Sequence, residues 1–447
     1  MKQKDLAETK HLPSATTSDA LDLATVEHHD PYKALRYRDF RLYFLAVFLA
    51  AVGEQMLSVA VGWELYQRTN SALALGLVGL VQVLPVMLLT LFTGSLADRV
   101  NRRRMMLGAQ ALFLVSALGL TVLSYLQGPL WLIYSCLVLN GIAASFSGPV
   151  TSSLLSQAVP QSVYENAATW ESSSWQLASV GGPALGGLLI ALFHRATPVY
   201  LLNVSAIAVA IICVALLRAD YQPHRRAGKT STLHSLAEGL RFLRGSQIML
   251  AAITLDLFAV LLGGATSLMP IFARDILRVG PTGLGFLQAA PSIGALCMTL
   301  CMAHTPPFKK AGRALLLAVA IFGLATCVFG LSHLFWLSLL SLAILGAMDN
   351  VSVVIRSTLL LTRPPDEMRG RVASVNSLFI SMSNQLGGFE SGIAAQLFGP
   401  LSAVVAGGLC TLLVVALVAT CWPEMRHLGR LNELPASQHQ TEGADPT

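Results

Sequence analysis

The chain has 447 residues, of which 54% are hydrophobic and only 12% are charged, and its mean hydropathy is +0.62. Soluble globular proteins carry roughly 25% charged residues, so this composition excludes an ordinary water-soluble enzyme. The net charge of +6 comes from basic residues in short segments between apolar runs, which favours membrane topology over a nucleic-acid-binding groove. The sequence therefore predicts an integral membrane protein.

Residues 1–35 form a polar tail that we expect to be cytoplasmic, with no apolar core before a cleavage site and hence no signal peptide. Apolar runs of about 20 residues, the length that crosses a bilayer as a helix, recur from there onwards. Twelve spans are predicted, at residues 40–65, 73–97, 104–126, 131–156, 168–193, 198–217, 247–273, 283–303, 312–332, 335–361, 372–397 and 402–422.

The longest interior polar stretch, residues 218–246, is basic and separates the sixth span from the seventh. It predicts two six-helix bundles, residues 36–217 and 247–422, joined by a cytoplasmic linker and followed by a cytoplasmic tail, residues 423–447. The expected fold is an all-α integral membrane protein with twelve transmembrane helices in two six-helix pseudo-repeats.

Weak identities relate the two predicted bundles at a nearly constant offset. Duplicated six-helix halves are typical of secondary transporters, whose substrate site lies near the midplane between the halves. An offset of 206 aligns Gly79, Gln82 and Pro85 with Gly285, Gln288 and Pro291, and an offset of 205 aligns Ala168, Gly182 and Gly187 with Ala373, Gly387 and Gly392.

The distribution of Lys and Arg predicts the orientation. If both termini are cytoplasmic, 26 of the 30 basic residues fall on the cytoplasmic side and 4 fall outside. Cytoplasmic loops carry the excess of positive charge in membrane proteins. We therefore expect both termini to be cytoplasmic in a multi-pass protein of the plasma (inner) membrane.

The loop after the second span carries a spaced motif, Gly94-Ser-Leu-Ala-Asp98-Arg99-Val-Asn-Arg102-Arg103. A generic positive loop explains the arginines but not the spacing of Gly94, Asp98 and Arg99. At these residues the chain resembles the major facilitator superfamily. The resemblance implies six-plus-six helices around a central cavity, alternating access, and a cytoplasmic gate formed by this loop.

Two further stretches resemble the enterobactin-exporter-like branch of that superfamily, which exports drugs and siderophores. They are Tyr37-Arg-Asp-Phe-Arg41 before the first span and Pro365-Asp-Glu-Met-Arg-Gly-Arg-Val372 before the eleventh. The fifth span carries Gly182-Pro183-Ala-Leu-Gly186-Gly187, similar to an antiporter motif, although a tightly packed, kinked helix is the alternative reading. The arginine that proton-coupled members often carry in the fourth helix is replaced by Leu137.

Three carboxylates lie near the centres of their spans: Glu54, Asp256 and Asp349. A charged carboxylate at bilayer depth costs about 2.5–3.5 kcal/mol on insertion scales, so each needs a function or a partner. They are candidates for proton coupling, and a neutral acid hydrogen-bonded to a neighbouring helix is the alternative. The resemblance implies that their helices line the central cavity.

Polar and aromatic side chains in the spans are candidates for contact with a substrate, and helix packing is the alternative for each. They are Gln55, Asn140, Trp175, Gln288 and Asn350.

The other charged residues of the spans are assigned by depth. Glu64 and Glu171, near span ends, are expected to reach water, and Arg356 is expected near the cytoplasm, paired with Asp366 or Glu367. On these assignments no Lys or Arg balances the intramembrane acids, which favours a cationic or neutral amphipathic ligand. An anionic siderophore would fit less well.

The sequence thus predicts a secondary transporter that exports amphipathic small molecules by alternating access, coupled to a proton or other ion gradient. An importer or a lysophospholipid-type flippase of the same fold is the alternative. We expect no enzymatic activity, no cofactor, no metal site and no nucleic-acid partner. The expected partners are the lipid bilayer, a small-molecule substrate and coupling ions, and the expected state is a monomer.

Overall fold

The computed structural model describes residues 30–97, 100–218, 232–306 and 308–429. The first half contains six long helices, each an apolar run ended by a short polar turn. They are α1 Arg38–Thr69, α2 Ala72–Ala97, α3 Arg102–Tyr125, α4 Leu130–Ala158, α5 Tyr164–Phe193 and α6 Thr197–Ala215.

A linker helix and a second set of spans follow. The seventh span is interrupted after its first helix, because Gly263 and Gly264 end α8 and the chain continues in short turns, one of them the π-helical segment Phe272–Ile276. The remaining helices are α7 Thr232–Gly245, α8 Gln247–Leu262, α9 Met269–Ile271, α10 Gly280–Ala303, α11 Ala311–Leu331, α12 Phe335–Thr362, α13 Asp366–Phe398, α14 Pro400–Cys421 and α15 Pro423–His427.

Twelve long helical segments therefore stand where twelve spans were predicted. Eleven of them, counted over the described residues, are long and apolar enough to cross a membrane. The twelfth, α13, has 33 residues and carries several polar side chains at its start. The all-helical membrane fold is confirmed, and α13 extends beyond its predicted span because its first turns are polar.

The two halves repeat one packing scheme. In the first half α2 packs against α4, and α3 against α4 and α6, while in the second half α10 packs against α12, and α11 against α12 and α14. The halves meet along α2–α13 and α5–α10. The repeat offset relates α2 to α10 and α5 to α13, so these two contacts are equivalent by the repeat.

Glycines allow both of these helix pairs to approach closely. A Cβ atom on Gly187 of α5 would lie 3.0 Å from the Cα of Gly285 in α10, and one on Gly392 of α13 would lie 2.6 Å from the Cα of Gly76 in α2. All four glycines are near the end of the bundle where α1 ends, which we term the distal end; the proximal end is where α1 begins. The halves are therefore in close contact at the distal end.

An arginine in each half caps a helix at the proximal end. Arg103 at the start of α3 donates from Nε to the carbonyl oxygen of Val214 at 3.1 Å and also contacts that of Ala215, both at the end of α6. Arg313 at the start of α11 donates to the carbonyl oxygen of Arg426 in α15 at 3.3 Å. A cation at a helix C-terminus satisfies free carbonyl groups and complements the helix dipole.

The described end of the linker is helical. Its residues 232–245 form α7, which packs on α13, where Glu238 forms an ion pair with Arg371. Residues 219–231 of the linker lie outside the described residues, as do residues 1–29 and 430–447 of the two tails. The domain boundaries themselves stay a prediction.

Candidate functional site

A cavity of about 560 Å³ lies among α1, α3, α4, α5 and α6, and every described residue that lines it belongs to the first half. Helical spacing brings the lining residues of each helix onto one face. On α1 these include Val47, Ala51 and Glu54, and on α3 they are Met106, Gln110 and Phe113. The cavity is of the size that holds a drug-like ligand.

Two carboxylates give the cavity its charge. Glu54 is exposed to it and has no hydrogen bond or ion pair with the described residues. Glu171 of α5 accepts a hydrogen bond on Oε1 from the hydroxyl of Tyr43, at 2.8 Å. No Lys, Arg or His is among the described lining residues. The expectation that Glu171 simply reaches water was incomplete, because it faces this cavity.

Neutral polar groups and aromatic rings complete the lining. Gln110 is 1% exposed, and no donor in the described part of the chain reaches its Oε1. Asn140 and Asn203 add amide groups, and Trp175 lines the cavity with 51% of its surface exposed. Sequence reasoning did not single out Gln110 or Asn203, although the spacing of Gln110 from Met106 and Phe113 places all three on one face of α3.

Of the substrate-contact candidates, only Asn140 and Trp175 line this cavity. Gln55 packs against α5 at Gly182, where an added Cβ would meet its side chain. Asn350 accepts a hydrogen bond from the hydroxyl of Thr299 in α10 at 3.3 Å, and Gln288 is half-buried on the same helix. The sequence predicted a cavity lined by both halves; these second-half side chains are not part of the described one.

The second half holds a buried charge cluster instead. Arg356 of α12 forms an ion pair with Asp256 of α8, and their exposures are 3% and 7%. Ser352 lies 3.5 Å from the same guanidinium nitrogen, and Asp349, two turns before Arg356, interacts electrostatically with both charges. The expectation that Arg356 pairs with Asp366 or Glu367 and that no Lys or Arg balances the intramembrane acids is wrong, because Arg356 is buried in an ion pair with Asp256.

Glu64 is a second correction. It is buried and forms an ion pair with Arg68, one turn later on α1, rather than reaching water. Arg68 also donates to the carbonyl oxygen of Gly128 at 3.0 Å, in the turn between α3 and α4. The pair therefore ties the distal end of α1 to its own half.

A polar cluster joins the two halves at the distal end. The hydroxyl of Tyr66 in α1 donates to Asp275 of the π-helical segment, and Arg274 donates to Oδ1 of Asn70 at 2.7 Å. Ser71 donates to Oε1 of Gln396 in α13 at 3.1 Å. No local sequence pattern predicts this distal cluster, since its partners are far apart along the chain.

The glycine motif of α5 contacts two different helices. A Cβ on Gly182 would lie 3.1 Å from the carbonyl oxygen of Val52, and one on Gly186 would lie 3.2 Å from that of Met56, both on α1. Gly187 faces α10, and Pro183 sits between these contacts inside the helix. The motif thus lets α5 bridge its own half and the other.

The predicted cytoplasmic gate is only partly described. Gly94 lies in the last turn of α2, Arg102 begins α3, and Arg103 caps α6 as described above. Asp98 and Arg99 lie outside the described residues.

Comparison with known proteins identifies relatives along most of the chain. The family described as transmembrane secretion effector matches residues 29–442. The chain is 26% identical over 398 residues to the multidrug efflux pump Tap of Mycolicibacterium fortuitum, covering 87% of this chain and 96% of that protein. It is also 26% identical over 389 residues to the enterobactin exporter EntS of Escherichia coli K12, covering 87% and 92%.

Solved structures share the fold at low identity. A transporter of the POT family in complex with a thioalcohol-conjugated peptide superposes with a TM-score of 0.69 at 13% identity, covering 87% of this chain and 96% of that one. A bacterial homologue of the human lysosomal transporter Spinster, inward-facing and unoccupied, gives 0.67 at 15% identity, with coverage of 87% and 96%. The chain therefore belongs to the transmembrane secretion effector family of major facilitator transporters, and it is a multi-pass membrane transporter of small molecules rather than an enzyme.

Proposed function

We propose that this transporter exports amphipathic small molecules by alternating access, driven by a proton gradient. The observation that carries the proposal is an asymmetry: the halves are held together at the distal end by paired glycine contacts and the distal cluster, while the first half contains a cavity with an unpaired carboxylate, Glu54. Rocking of residues 36–217 against residues 247–422 would open the distal end and close the proximal one.

Orientation sets the direction of this cycle. With the buried Arg356 set aside, 25 basic residues fall on the cytoplasmic side and 4 outside if both termini are cytoplasmic. This distribution favours cytoplasmic termini, which makes the proximal end cytoplasmic and the distal end external. On that assignment the described conformation is closed towards the outside. Substrate would enter from the cytoplasm or the inner leaflet and leave once the distal cluster breaks.

Coupling would use the intramembrane acids. Glu54 has no partner that must be removed before it binds a proton, whereas a proton on Asp256 would weaken its ion pair with Arg356. Asp349 is the second acid within reach of that arginine. Protonation can shift a two-state equilibrium only if the states bind protons with different affinity, so these three groups are the candidates for coupling.

The relatives support export over import. Tap is named a multidrug efflux pump and EntS an enterobactin exporter, and both align with most of this chain. The importer and the lipid flippase stay as alternatives for the experiment to separate.

The test is uptake into everted membrane vesicles from an efflux-deficient host, with a panel of dyes, antibiotics and siderophores. We expect at least one compound to accumulate when the lumen is acidic and to leak out when a protonophore collapses the gradient. Vesicles without the protein provide the control. Accumulation in intact cells would identify an importer, translocation of labelled lysophospholipid alone would identify a flippase, and uptake unaffected by the protonophore would exclude proton coupling.

A further inference from the structure

We propose that the first-half cavity among α1, α3, α4, α5 and α6 binds an amphipathic organic cation that carries an N–H donor. The inference rests on the proposed function and specifies its substrate class. It assigns to the cavity a set of residues, Glu54, Glu171, Gln110, Trp175 and Phe113, each with a separate role in recognition.

The charge of the cavity selects for a cation. Glu54 and Glu171 both line it, and none of the described lining residues carries positive charge. Two carboxylates in one cavity repel each other unless a positive group compensates them. A cationic ligand would supply that compensation, while an anion would add repulsion from two acids.

The two acids differ in how they are held. Tyr43 donates its hydroxyl hydrogen to Oε1 of Glu171 and so fixes this side chain, leaving the other carboxylate oxygen without that bond. Glu54 has no protein partner among the described residues and is exposed to the cavity. Glu54 is thus the adaptable contact and Glu171 the fixed one.

Gln110 gives the second, independent indication of a ligand. It is 1% exposed, it lines the cavity, and its Oε1 has no donor in the described part of the chain. Buried polar atoms in native proteins are nearly always hydrogen-bonded, so the unpartnered Oε1 of a side chain that lines the cavity indicates a donor supplied from outside the chain. An N–H group of the ligand matches this acceptor.

Aromatic and aliphatic side chains fit the remaining body of such a ligand. Trp175 and Phe113 provide faces that attract a cation, and Val47, Leu57 and Ile207 provide apolar surface. The charge cluster of the second half differs, because its two acids, Asp256 and Asp349, share Arg356, which forms an ion pair with Asp256, and none of these residues lines the cavity. The proposed cation site therefore belongs to the first half.

The experiment uses the purified full chain in lipid nanodiscs and equilibrium binding of three probes. Ethidium is an aromatic cation with amino donors, tetraphenylphosphonium is a cation without donors, and tetraphenylborate is its anionic counterpart of the same shape. We expect both cations to bind and tetraphenylborate to bind at least about tenfold more weakly, since close like charges repel inside a low-dielectric site.

Variants separate the roles of the residues. Glu54→Gln should weaken both cations by about tenfold, and Glu54→Asp, which keeps the charge, should weaken them less. Gln110→Leu should weaken ethidium by about fivefold and leave tetraphenylphosphonium unchanged, because only ethidium loses a hydrogen bond. Trp175→Ala should weaken both by about threefold to tenfold.

Glu390→Gln is the matched control, because Glu390 is an exposed carboxylate of α13 that does not line the cavity. It should leave all three affinities unchanged. Each variant is also tested for a cooperative thermal unfolding transition, so that a misfolded protein is recognised. Equal binding of tetraphenylborate, or unchanged cation binding in folded Glu54→Gln and Glu171→Gln, would overturn the inference.

The inference and the proposed function can fail separately. If the cations bind but no compound is transported in a gradient-dependent way, the cavity assignment stands and proton-driven export does not. If only neutral or anionic compounds are exported and neither cation binds, export stands and the cation site is wrong.

Discussion

The first and second halves share one architecture but place their charges differently. In the first half Glu54 is exposed to a cavity without a protein partner, whereas in the second half Asp256 is buried against Arg356. In each half an arginine, Arg103 or Arg313, donates to a helix carbonyl group, and the halves meet through equivalent glycine crossings. The repeat therefore keeps the helix packing between the halves and differs in where its charged side chains lie.

The largest expected effect is in the second half. Arg356→Met should lower the free energy of unfolding by about 3–5 kcal/mol, since it leaves Asp256 as an uncompensated buried charge. The double variant Asp256→Asn with Arg356→Met should recover most of that loss. Thermal and denaturant unfolding in detergent would measure both changes. An Arg356→Met variant as stable as the parent would show that the ion pair with Asp256 does not stabilise the protein.

The distal cluster should be the next most sensitive region. Tyr66→Phe removes the hydrogen bond to Asp275, and bonds to charged groups contribute about 1.5–3 kcal/mol. The distally open state should therefore become at least about tenfold more populated. Spin labels at Trp131 and Trp336, exposed at the distal starts of α4 and α12, would report a longer distance in a chain with its 7 cysteines replaced.

Tyr134→Phe is the matched control for this variant. The Tyr134 hydroxyl donates to the carbonyl oxygen of Ala74 at 2.9 Å, a contact within the first half. It should leave the distance distribution unchanged. If Tyr66→Phe and Tyr134→Phe behave alike, the distal cluster does not hold the halves together.

The glycine crossings should respond to a single methyl group. Gly187→Ala places a Cβ 3.0 Å from the Cα of Gly285, and overpacking of this kind costs about 1–3 kcal/mol. Only the distally closed state is destabilised, because the two helices are in contact only in that state. The labelled distance should lengthen. Gly181→Ala on the same helix meets nothing within 4 Å, so a shift of equal size there would contradict this explanation.

The smallest effect belongs to the exposed ion pair of the linker helix. Glu238 and Arg371 are each 31% exposed, and pairs of this kind contribute about 0–1 kcal/mol. Arg371→Gln should therefore barely change global stability and should increase hydrogen exchange in residues 232–245. If Arg371→Gln lowers the free energy of unfolding as much as Arg356→Met does, burial does not determine how much an ion pair stabilises this protein.

The sequence predicted the features that depend on local pattern. Apolar length gave the twelve spans, and the offset of 205–206 identified glycines of α5 and α13, such as Gly187 and Gly392, at which the halves cross. Glu54 could be found because a lone carboxylate in an apolar run is costly at any position. It does line the described cavity.

The features that were missed depend on contacts between distant segments. Arg356 was assigned to the cytoplasmic surface from its depth, and nothing local indicates that Asp256 of another helix faces it. Glu64 was assigned to water from its position near a span end, whereas its burial is set by tertiary packing. Gln110 was overlooked since a single amide in a long helix looks the same in sequence whether it packs or binds.

The most direct test of the account compares the parent chain with Glu54→Gln for gradient-driven ethidium uptake in everted vesicles. The account predicts that an acidic lumen drives accumulation by the parent and that the variant, although folded and present at the same level, fails to accumulate the dye. Undiminished gradient-driven accumulation by Glu54→Gln would contradict it, because the unpaired carboxylate of the first half would then serve neither the substrate nor the proton.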